Sequence, residues 1–561
     1  MKIKGVQKAI DKIRGKGKKN SMFDPVHYVI GMLKLYGIKY LVASPGTQNA
    51  NFNYFLQKDN FFKCFSVVDE RSASYVATGL AFEMGEPVVI TCTGATASRN
   101  YLSAMTEAFY RNIPLIALTF HNPSGNEYNM TPQYLDRSVT QKDIKALYVK
   151  LPKIADANDE IECVVKLNAA LFTAYYLKKP VHIDCPSTLW NFKDKLQVPL
   201  KKIWKPEYYK ENFESVSANL QNKKIAIFVG SHDKFSSDEQ KAISDFVTSR
   251  DAVVFCDHTS NYHGHNKVLF SQALDMQSLD VHPEVIIDIG NVTGEYSAYG
   301  LLKRAEVWRI SSDGSIKFRA SVPVKKVFCC SEKYFFISLS AKEKVNSYFS
   351  IIKSKIDKLV FPELKLSNAF VCAHLSQKLP KNCSLNISIL NSLRNMNFFN
   401  LDESIDVNCN VGGFGIDGPV STLVGMSLAD VNKKYFGLIG DLAFFYDMNI
   451  IGNRHIQNNL RILLINNQRG EEFRINPDIE NVIGDEADEF IAAARHNIGG
   501  AKNWAVANNF IYMSANTEGE FIKQIDDFCT KECSYPILFE VFTTNENEKE
   551  ALMKIRSFNK K

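Results

Sequence analysis

YFGLIGDLAFFYDMNIIGNRHIQNNLRILLINNQRG, from Tyr435 to Gly470, is the stretch from which the fold can be read. An apolar run, Phe436 to Ile439, stops at Gly440-Asp441. A second run, Ile462 to Ile465, stops at Asn466-Asn467 one crossover later. A βαβ unit brings both strand ends to one edge of a parallel sheet, the edge where doubly wound folds bind ligands. The two ends then offer a carboxylate oxygen and an amide oxygen close together. Hard oxygen ligands of this kind suit Mg²⁺, which takes one or two protein carboxylates and completes its shell with phosphate oxygens. The stretch therefore reads as a metal and diphosphate anchor.

Upstream, the same rhythm recurs. Asp24-Pro25 is an N-cap with proline at the first helical position, so a helix is expected over Val26 to Tyr36, closed by Gly37. Strands are expected at Tyr40 to Ala43, Phe65 to Val68, Pro87 to Thr91 and Pro114 to Thr119. The first three lead into SPGTQNA (Ser44 to Ala50), Asp69-Glu70-Arg71 and the glycine and threonine turn that holds Thr93, Gly94 and Ala95. Strand, turn and helix in alternation mean an α/β domain with a parallel sheet, ending near the apolar strand Pro180 to Asp184. Residues 190–222 are lysine-rich and read as a linker. A second α/β region carries strands at Ile225 to Gly230, Val253 to Asp257, Val285 to Gly290 and Val307 to Ile310. No GxGxxG follows any of them, so no dinucleotide site is expected there. The expected organisation is a basic extension over 1–23 and three doubly wound domains over 24–190, 191–345 and 346–561.

Composition limits the function classes. The chain has 561 residues, 45% hydrophobic and 23% charged, the balance of a globular protein with several cores. A net charge of +6 is a mild excess at this length and does not indicate nucleic-acid binding. No apolar run reaches the ~18 residues a membrane span needs. The first residues lack the apolar core of a signal peptide. Ile3, Val6, Ile10 and Ile13 fall near helical spacing on a basic background, which leaves a surface-binding helix and a frayed extension as alternatives. Twelve cysteines without a CxxC pair fit reduced thiols in the cytoplasm. His258, His263 and His265 imitate metal spacing but lack an evident acidic partner. His496 stands before a glycine pair as a possible cleft-mouth residue.

Several motifs in one order carry a family resemblance. SPGTQNA resembles a PGSRS turn, VVDERSASYVATGLA a DERSA segment, and NVGGFGIDGPVSTLVG (Asn410 to Gly425) an NRGxSGIDGxxST motif. GDLAFFYDMN resembles GDLxFLHDLN, and WRISSDGS matches a middle-domain element. Together these resemble the thiamine diphosphate (ThDP) enzymes, and among them the MenD family, the 2-succinyl-5-enolpyruvyl-6-hydroxy-3-cyclohexene-1-carboxylate synthases. The resemblance implies that 24–190 binds the pyrimidine and 346–561 the diphosphate of ThDP, with Mg²⁺. It implies that Glu70 hydrogen-bonds the aminopyrimidine and helps deprotonate the thiazolium carbon. It assigns Asp441, Asn467 and the Arg469 carbonyl to the metal. Pro45, Gly46, Thr93, Gly94, Ile416, Ser421, Gly440, Leu442 and Ala443 fall to the cofactor, and Gln133 lies near the reacting carbon. Shared sites between subunits, hence a homodimer or homotetramer, follow in the same way.

The resemblance breaks where the MenD family places arginines against dianionic substrates, 2-oxoglutarate and isochorismate. Gln48, beside Asn49, replaces one and Val411 another; a third falls near Met396, with Arg394 two residues away. After Asn467, QRGEEFR replaces a glycine-rich continuation. Bidentate arginine–carboxylate bonds contribute strongly to orientation and affinity. The expectation is a ThDP enzyme that decarboxylates a different 2-oxo acid, smaller or monoanionic, and passes the acyl unit to an acceptor. Two rivals are the family's own reaction, with Arg71, Arg99, Arg137 or Arg394 compensating, and a non-catalytic scaffold.

Overall fold

The computed structural model describes residues 24–122, 130–131, 133–187, 213–277, 281–295, 298–312, 324–340, 347–495 and 500–560. The expected extension (1–23), most of the 190–222 linker, the DGS end of the middle-domain motif and His496 lie outside them. The described chain opens as its sequence predicts. The Asp24 side chain caps the Pro25–Tyr36 helix, and Gly37 closes it with a left-handed φ of 75°.

Three six-stranded sheets follow, parallel throughout their described pairings. The first contains β1 (Tyr40–Ala43), β2 (Lys63–Ser66), β3 (Val88–Thr93), β4 (Leu115–His121), β5 (Leu147–Lys150) and β6 (Val181–Pro186), in the order β2-β1-β3-β4-β6-β5. The second contains β7 (Ile225–Val229), β8 (Val253–Cys256), β9 (Lys267–Leu269), β10 (Val285–Ile289), β11 (Glu306–Ile310) and β12 (Val324–Phe328), in the order β12-β11-β10-β7-β8-β9. The third contains β13 (Ser384–Ile387), β14 (Asp406–Cys409), β15 (Tyr435–Gly440), β16 (Leu460–Asn466), β17 (Ile511–Ala515) and β18 (Ile537–Phe542), in the order β14-β13-β15-β16-β18-β17.

The first and third sheets share one winding. In each, the chain moves outward from its first strand to its second, then returns to the other side for its third. The strand order therefore reverses between β1 and β3, and again between β13 and β15. Ligands of open α/β sheets bind outside the carboxyl ends of the strands at such a reversal. The turns at Ser44 to Ala50 and after Thr93 meet at one of these points, and Gly440-Asp441 stands at the other. The second sheet reverses between β7 and β10, where backbone bonds close the crevice: Gly230 donates to the Ile289 carbonyl at 3.1 Å and Asn291 to the Ser231 carbonyl at 2.7 Å.

One expected strand ends early. Phe65 to Val68 was the predicted span, but β2 stops at Ser66. The Ser66 N–H donates to His455 Nε2 at 2.9 Å and its carbonyl accepts from Asn453 at 3.1 Å, so its backbone groups are drawn toward the third sheet's connections. Val67 and Val68 then lead into Asp69, whose side chain caps the Glu70–Met84 helix at Arg71 and Ser72. The histidine trio of the middle region does not converge. His258 is buried against the Phe399 carbonyl, His265 meets Thr248, and His263 lies 3.8 Å from Asp406. No group of three His, Cys, Asp or Glu side chains placed to hold a metal ion occurs among the described residues. Nor is any described helix long and apolar enough to cross a membrane.

The first and third sheets are locked by two helices, Glu70–Met84 and Pro419–Ser427, buried almost throughout. A Cβ on Gly79 would overlap the Thr422 carbonyl, and one on Gly425 would overlap the Val76 carbonyl. Only glycine lets the two backbones approach this closely. One apolar core runs through both sheets, joining Val76, Leu80 and Ile90 to Leu423, Ile439 and Leu464. At the far end of the first helix, Glu83 meets Lys234 at 2.9 Å and Lys433 at 2.8 Å, and Lys234 also meets Asp406 at 2.9 Å, which ties in the middle region. Gly425→Ala is expected to lower the denaturant midpoint by the equivalent of roughly 1–3 kcal/mol, because overpacking outweighs the roughly 1 kcal/mol gain in helix propensity. Chemical denaturation followed by tryptophan fluorescence measures the shift.

Candidate active site

At the third sheet's reversal, β15 and β16 lie side by side with Gly440 in register with Ile465. Asp441 and Asn466-Asn467 thus emerge together from one edge, as the alternation of apolar runs predicts. The Gly440 N–H donates to Ser388 Oγ at 3.1 Å, which joins the end of β13 to the same point. Gly440 is the extended N-cap of the Asp441–Asp447 helix. Asp441 is buried, and its Oδ1 accepts the Leu442 N–H at 2.8 Å; Ala443 is buried behind it. Asn467 is half-buried, and its amide oxygen accepts the Arg469 N–H across a turn at 3.3 Å. Gln468 takes a φ of 62° within this turn. Asn466 is held from below, where its amide donates to the fully buried Glu540 at 2.7 Å. Glu540 also accepts from Ala501 N–H and, at 2.8 Å, from Tyr512. Its place in an otherwise apolar strand, ILFEVF, is the signal that could have found it.

At the first sheet's reversal, Asn49 organises the PGTQN turn. Its side chain accepts the Gly46 N–H at 2.8 Å and donates to the Ser44 carbonyl at 3.1 Å. Pro45 is exposed at the tip. A Cβ on Gly46 would overlap the Thr93 methyl, so the two turns touch. Gln48 accepts the Gly94 N–H at 3.3 Å. Glu70 opens its helix half-buried and accepts from Asn100 at 3.2 Å. Gln133 is exposed in a left-handed conformation, φ 60°.

Behind Gly94 lies a buried network that the sequence reading missed. Arg137 grips Asp184 with bonds of 2.9 and 2.8 Å, and His121, Thr119 and Tyr148 share that carboxylate. Arg137 also donates to the Gly94 carbonyl. Burial pushes the Asp184 carboxyl up, but His121 and Arg137 outweigh it and hold the group well below the usual range. The residues are scattered over 65 positions, so no local motif announces them.

Between the two edges, the segment from Asn410 to Gly418 docks on the first sheet's helices. The Gly413 N–H donates to buried Glu107 at 2.6 Å, and Tyr75 donates to Asp417 at 2.8 Å. Ile416 stands 38% exposed, free of the core that would be its ordinary place. Val411, in contrast, is fully buried in the third sheet's apolar core. Ser421 is also fully buried, and both its N–H (2.6 Å) and its hydroxyl (2.7 Å) donate to Asp447. Arg71 lies 3.9 Å from that carboxylate and over the Tyr446 ring, and Ser72 donates to it at 3.4 Å. Glu70's helix is thus fastened to the far end of the helix that Asp441 begins. Seven residues of helix span about 10 Å.

Comparison with known proteins agrees with this geometry. Residues 24–146 match the thiamine pyrophosphate enzyme N-terminal TPP binding domain. The chain is a thiamine diphosphate-dependent enzyme. It is 29% identical to the 2-succinyl-5-enolpyruvyl-6-hydroxy-3-cyclohexene-1-carboxylate synthase of Phocaeicola vulgatus, over 93% of this chain and 95% of that protein. It is 28% identical to the synthase of that name in Bacteroides fragilis, over 94% and 97%, and 26% identical to that of Desulfotalea psychrophila, over 81% and 87%. For a ThDP enzyme the residues fit the cofactor's needs. Two open strand edges of the same winding are present, one with glycine turns that let a ring approach the backbone. The other has a buried carboxylate and an amide oxygen beside a glycine N-cap.

The Asp447 clasp has a pH signature. Burial pushes its carboxyl up to about 6, against the Ser421 hydrogen bonds and the Arg71 charge. An unfolded aspartate titrates near 3.9. Between those values the folded protein holds a proton that the unfolded chain has lost, so this group's stabilising contribution is complete below pH ~4 and disappears as pH rises through ~6. Asp447→Asn should therefore gain roughly 2–3 kcal/mol relative to the parent between pH 4 and 7. Urea midpoints at the two pH values provide the comparison.

Proposed function

We propose that this enzyme decarboxylates a 2-oxo acid and transfers the remaining acyl unit to an acceptor, using ThDP and Mg²⁺, and that its donor is smaller or less charged than a dicarboxylic 2-oxo acid. The observation that carries the reading is the pair of identically wound edges, one presenting Glu70 and the Gly46 and Gly94 turns, the other Asp441 and Asn467. ThDP, when bound, supplies the carbon nucleophile and the electron sink for decarboxylation. Asp441, Asn467 and the Arg469 carbonyl would hold Mg²⁺ and through it the diphosphate. Glu70 would hold the proton exchanged with the aminopyrimidine ring, and the Gly46, Thr93 and Gly94 backbone would support that ring. Ile416 would brace the cofactor's bend, with Pro45, Gly440, Leu442 and Ala443 around it.

The altered donor is supported by what the arginines do. Gln48 is bonded to Gly94, and Val411 is in the core. Arg71, Arg137 and Arg394 face Asp447, Asp184 and Glu472 respectively. A monoanionic donor such as pyruvate, or a sugar-like acceptor, needs fewer cationic partners. One observation favours a second reading, the menaquinone-pathway reaction itself: the curated relatives reported above share that synthase name. Arg99, exposed and bonded to the Asp136 carbonyl at 3.2 Å, is the arginine best placed to serve it.

The reading also includes divisions at 24–190, 191–345 and 346–561, and a homodimer or homotetramer that shares its sites between subunits. A cytoplasmic location goes with it, since twelve cysteines without a CxxC pair fit reduced thiols. A screen of 2-oxo acids for CO₂ release, with ThDP and Mg²⁺, is expected to find a monocarboxylic donor preferred over 2-oxoglutarate. Rapid turnover of 2-oxoglutarate with isochorismate would refute the altered donor. Glu70→Gln should lower kcat at least ~100-fold while the protein still binds ThDP, the range associated with loss of a positioned acid–base group. Unchanged turnover would remove Glu70 from the mechanism.

A further inference from the structure

The segment after Asn467 departs from a glycine-rich loop, and the structure shows what its charged residues do. Arg394 stands on the Asn391–Met396 helix that leaves the end of β13, and Glu472 opens the Glu472–Ile475 helix that leaves the end of β16. Their side chains meet at 2.5 Å, the Arg394 side chain 14% and the Glu472 side chain 21% exposed. In the sheet, β15 lies between β13 and β16. The ion pair therefore spans the two strands that flank Gly440-Asp441, on the edge where the reaction is proposed to occur.

The backbone is set to hold this arrangement. Leu390, immediately before the Arg394 helix, takes φ 71° and ψ −122°, a region that non-glycine residues avoid. Strain of this kind persists only where the surroundings over-determine it. Ser388, two residues earlier, is fixed by the Gly440 N–H. The same segment neutralises its other arginines in the same way. Arg469 meets Asp488 at 2.6 Å, and Arg474 meets Asp488 at 2.7 Å and Glu480 at 3.1 Å.

We infer that Glu472 is a donor-specificity residue, an internal carboxylate that occupies the Arg394 guanidinium and so denies it to the second carboxylate of a dicarboxylic 2-oxo acid. The inference rests on the donor reading above and names its physical means. Arginine binds a carboxylate through a planar fork of donors. A fork already joined to a protein carboxylate of fixed position meets an incoming dianion with one more negative charge beside it. Repulsion and the missing partner both act against that substrate, whereas a monocarboxylic donor makes no demand on Arg394. Selectivity of this kind works by building repulsion against the wrong ligand.

The test compares the full-length parent with Glu472→Gln, Glu472→Asp and the double variant Arg394→Met with Glu472→Gln, each loaded with ThDP and Mg²⁺. The first readout is the ratio of kcat/KM for 2-oxoglutarate to that for pyruvate, measured by CO₂ release. The second, independent of turnover, is calorimetric binding of glutarate against butyrate. Glu472→Gln is expected to raise both ratios at least tenfold, Glu472→Asp to stay near the parent, and the double variant to lose the gain. A change below twofold in the glutarate ratio, or a gain that survives in the double variant, overturns the inference. The parent's own donor preference tests the proposed function separately. A parent that already prefers 2-oxoglutarate sinks the donor reading, whereas an unselective Glu472→Gln in a pyruvate-preferring parent sinks only the role of Glu472.

Discussion

The close crossing of the Glu70–Met84 and Pro419–Ser427 helices is the constraint on which the rest of the molecule depends. Two backbones meet where Gly79 and Gly425 leave no room for a Cβ, and the shared apolar core fixes both sheets around that crossing. Each helix carries a terminus that the proposed function uses. The first begins at Glu70, and the second follows directly from the loop that presents Ile416. Because each helix runs from a strand edge into the common core, positions at the two edges are set by packing rather than by loop conformation. The Asp447 clasp, joining Ser421, Ser72 and Arg71, then fastens the helix that Asp441 begins to the one that Glu70 begins.

Electrostatics divides the site into two parts. The proposed cofactor side presents backbone N–H groups and neutral or acidic oxygens, partners that suit a magnesium diphosphate. On the proposed substrate side, several arginines are met by protein carboxylates. Arg137 is buried against Asp184, where breaking the pair would strand a charge away from water. Arg394, Arg469 and Arg474 are met by Glu472, Asp488 and Glu480 from a short run after Asn467. Two further acids sit in that neighbourhood with raised pKa values. Burial and the nearby Glu548 carboxylate push Glu471 up to about 8, and burial pushes Glu548 up to about 7. Near neutral pH both are thereby partly or wholly protonated, so Glu472, Asp488 and Glu480 carry the charge that meets the arginines.

Much of this was legible in the sequence, and for identifiable reasons. The runs YFGLIG and RILLIN are apolar on both faces and end in polar residues, so a buried parallel strand and its functional edge could be placed within a residue or two. The N-cap Asp24 marked its helix because capping is local chemistry. What escaped was long-range. The strand β5, with its half-exposed LYVK, lacks a buried signature, and β2 ends early only because His455 and Asn453 reach it from nearly four hundred residues away. Val411 occupied a motif position, yet its side chain joined the core, since an isolated valine gains more from burial than from a polar edge. The resemblance assigned Ser421 to the cofactor, but Asp447, invisible as its partner from spacing alone, takes both its donors.

The central claim is that the third sheet's edge binds a magnesium diphosphate through Asp441. Its most direct test is a ThDP titration of the purified full-length protein, by quenching of intrinsic fluorescence, with Mg²⁺ or with excess chelator, for the parent and Asp441→Asn. The account predicts saturable binding that weakens at least ~10-fold on chelation, and a comparable loss in Asp441→Asn that added Mg²⁺ does not restore. Equally tight ThDP binding in the chelated parent and in Asp441→Asn would contradict it.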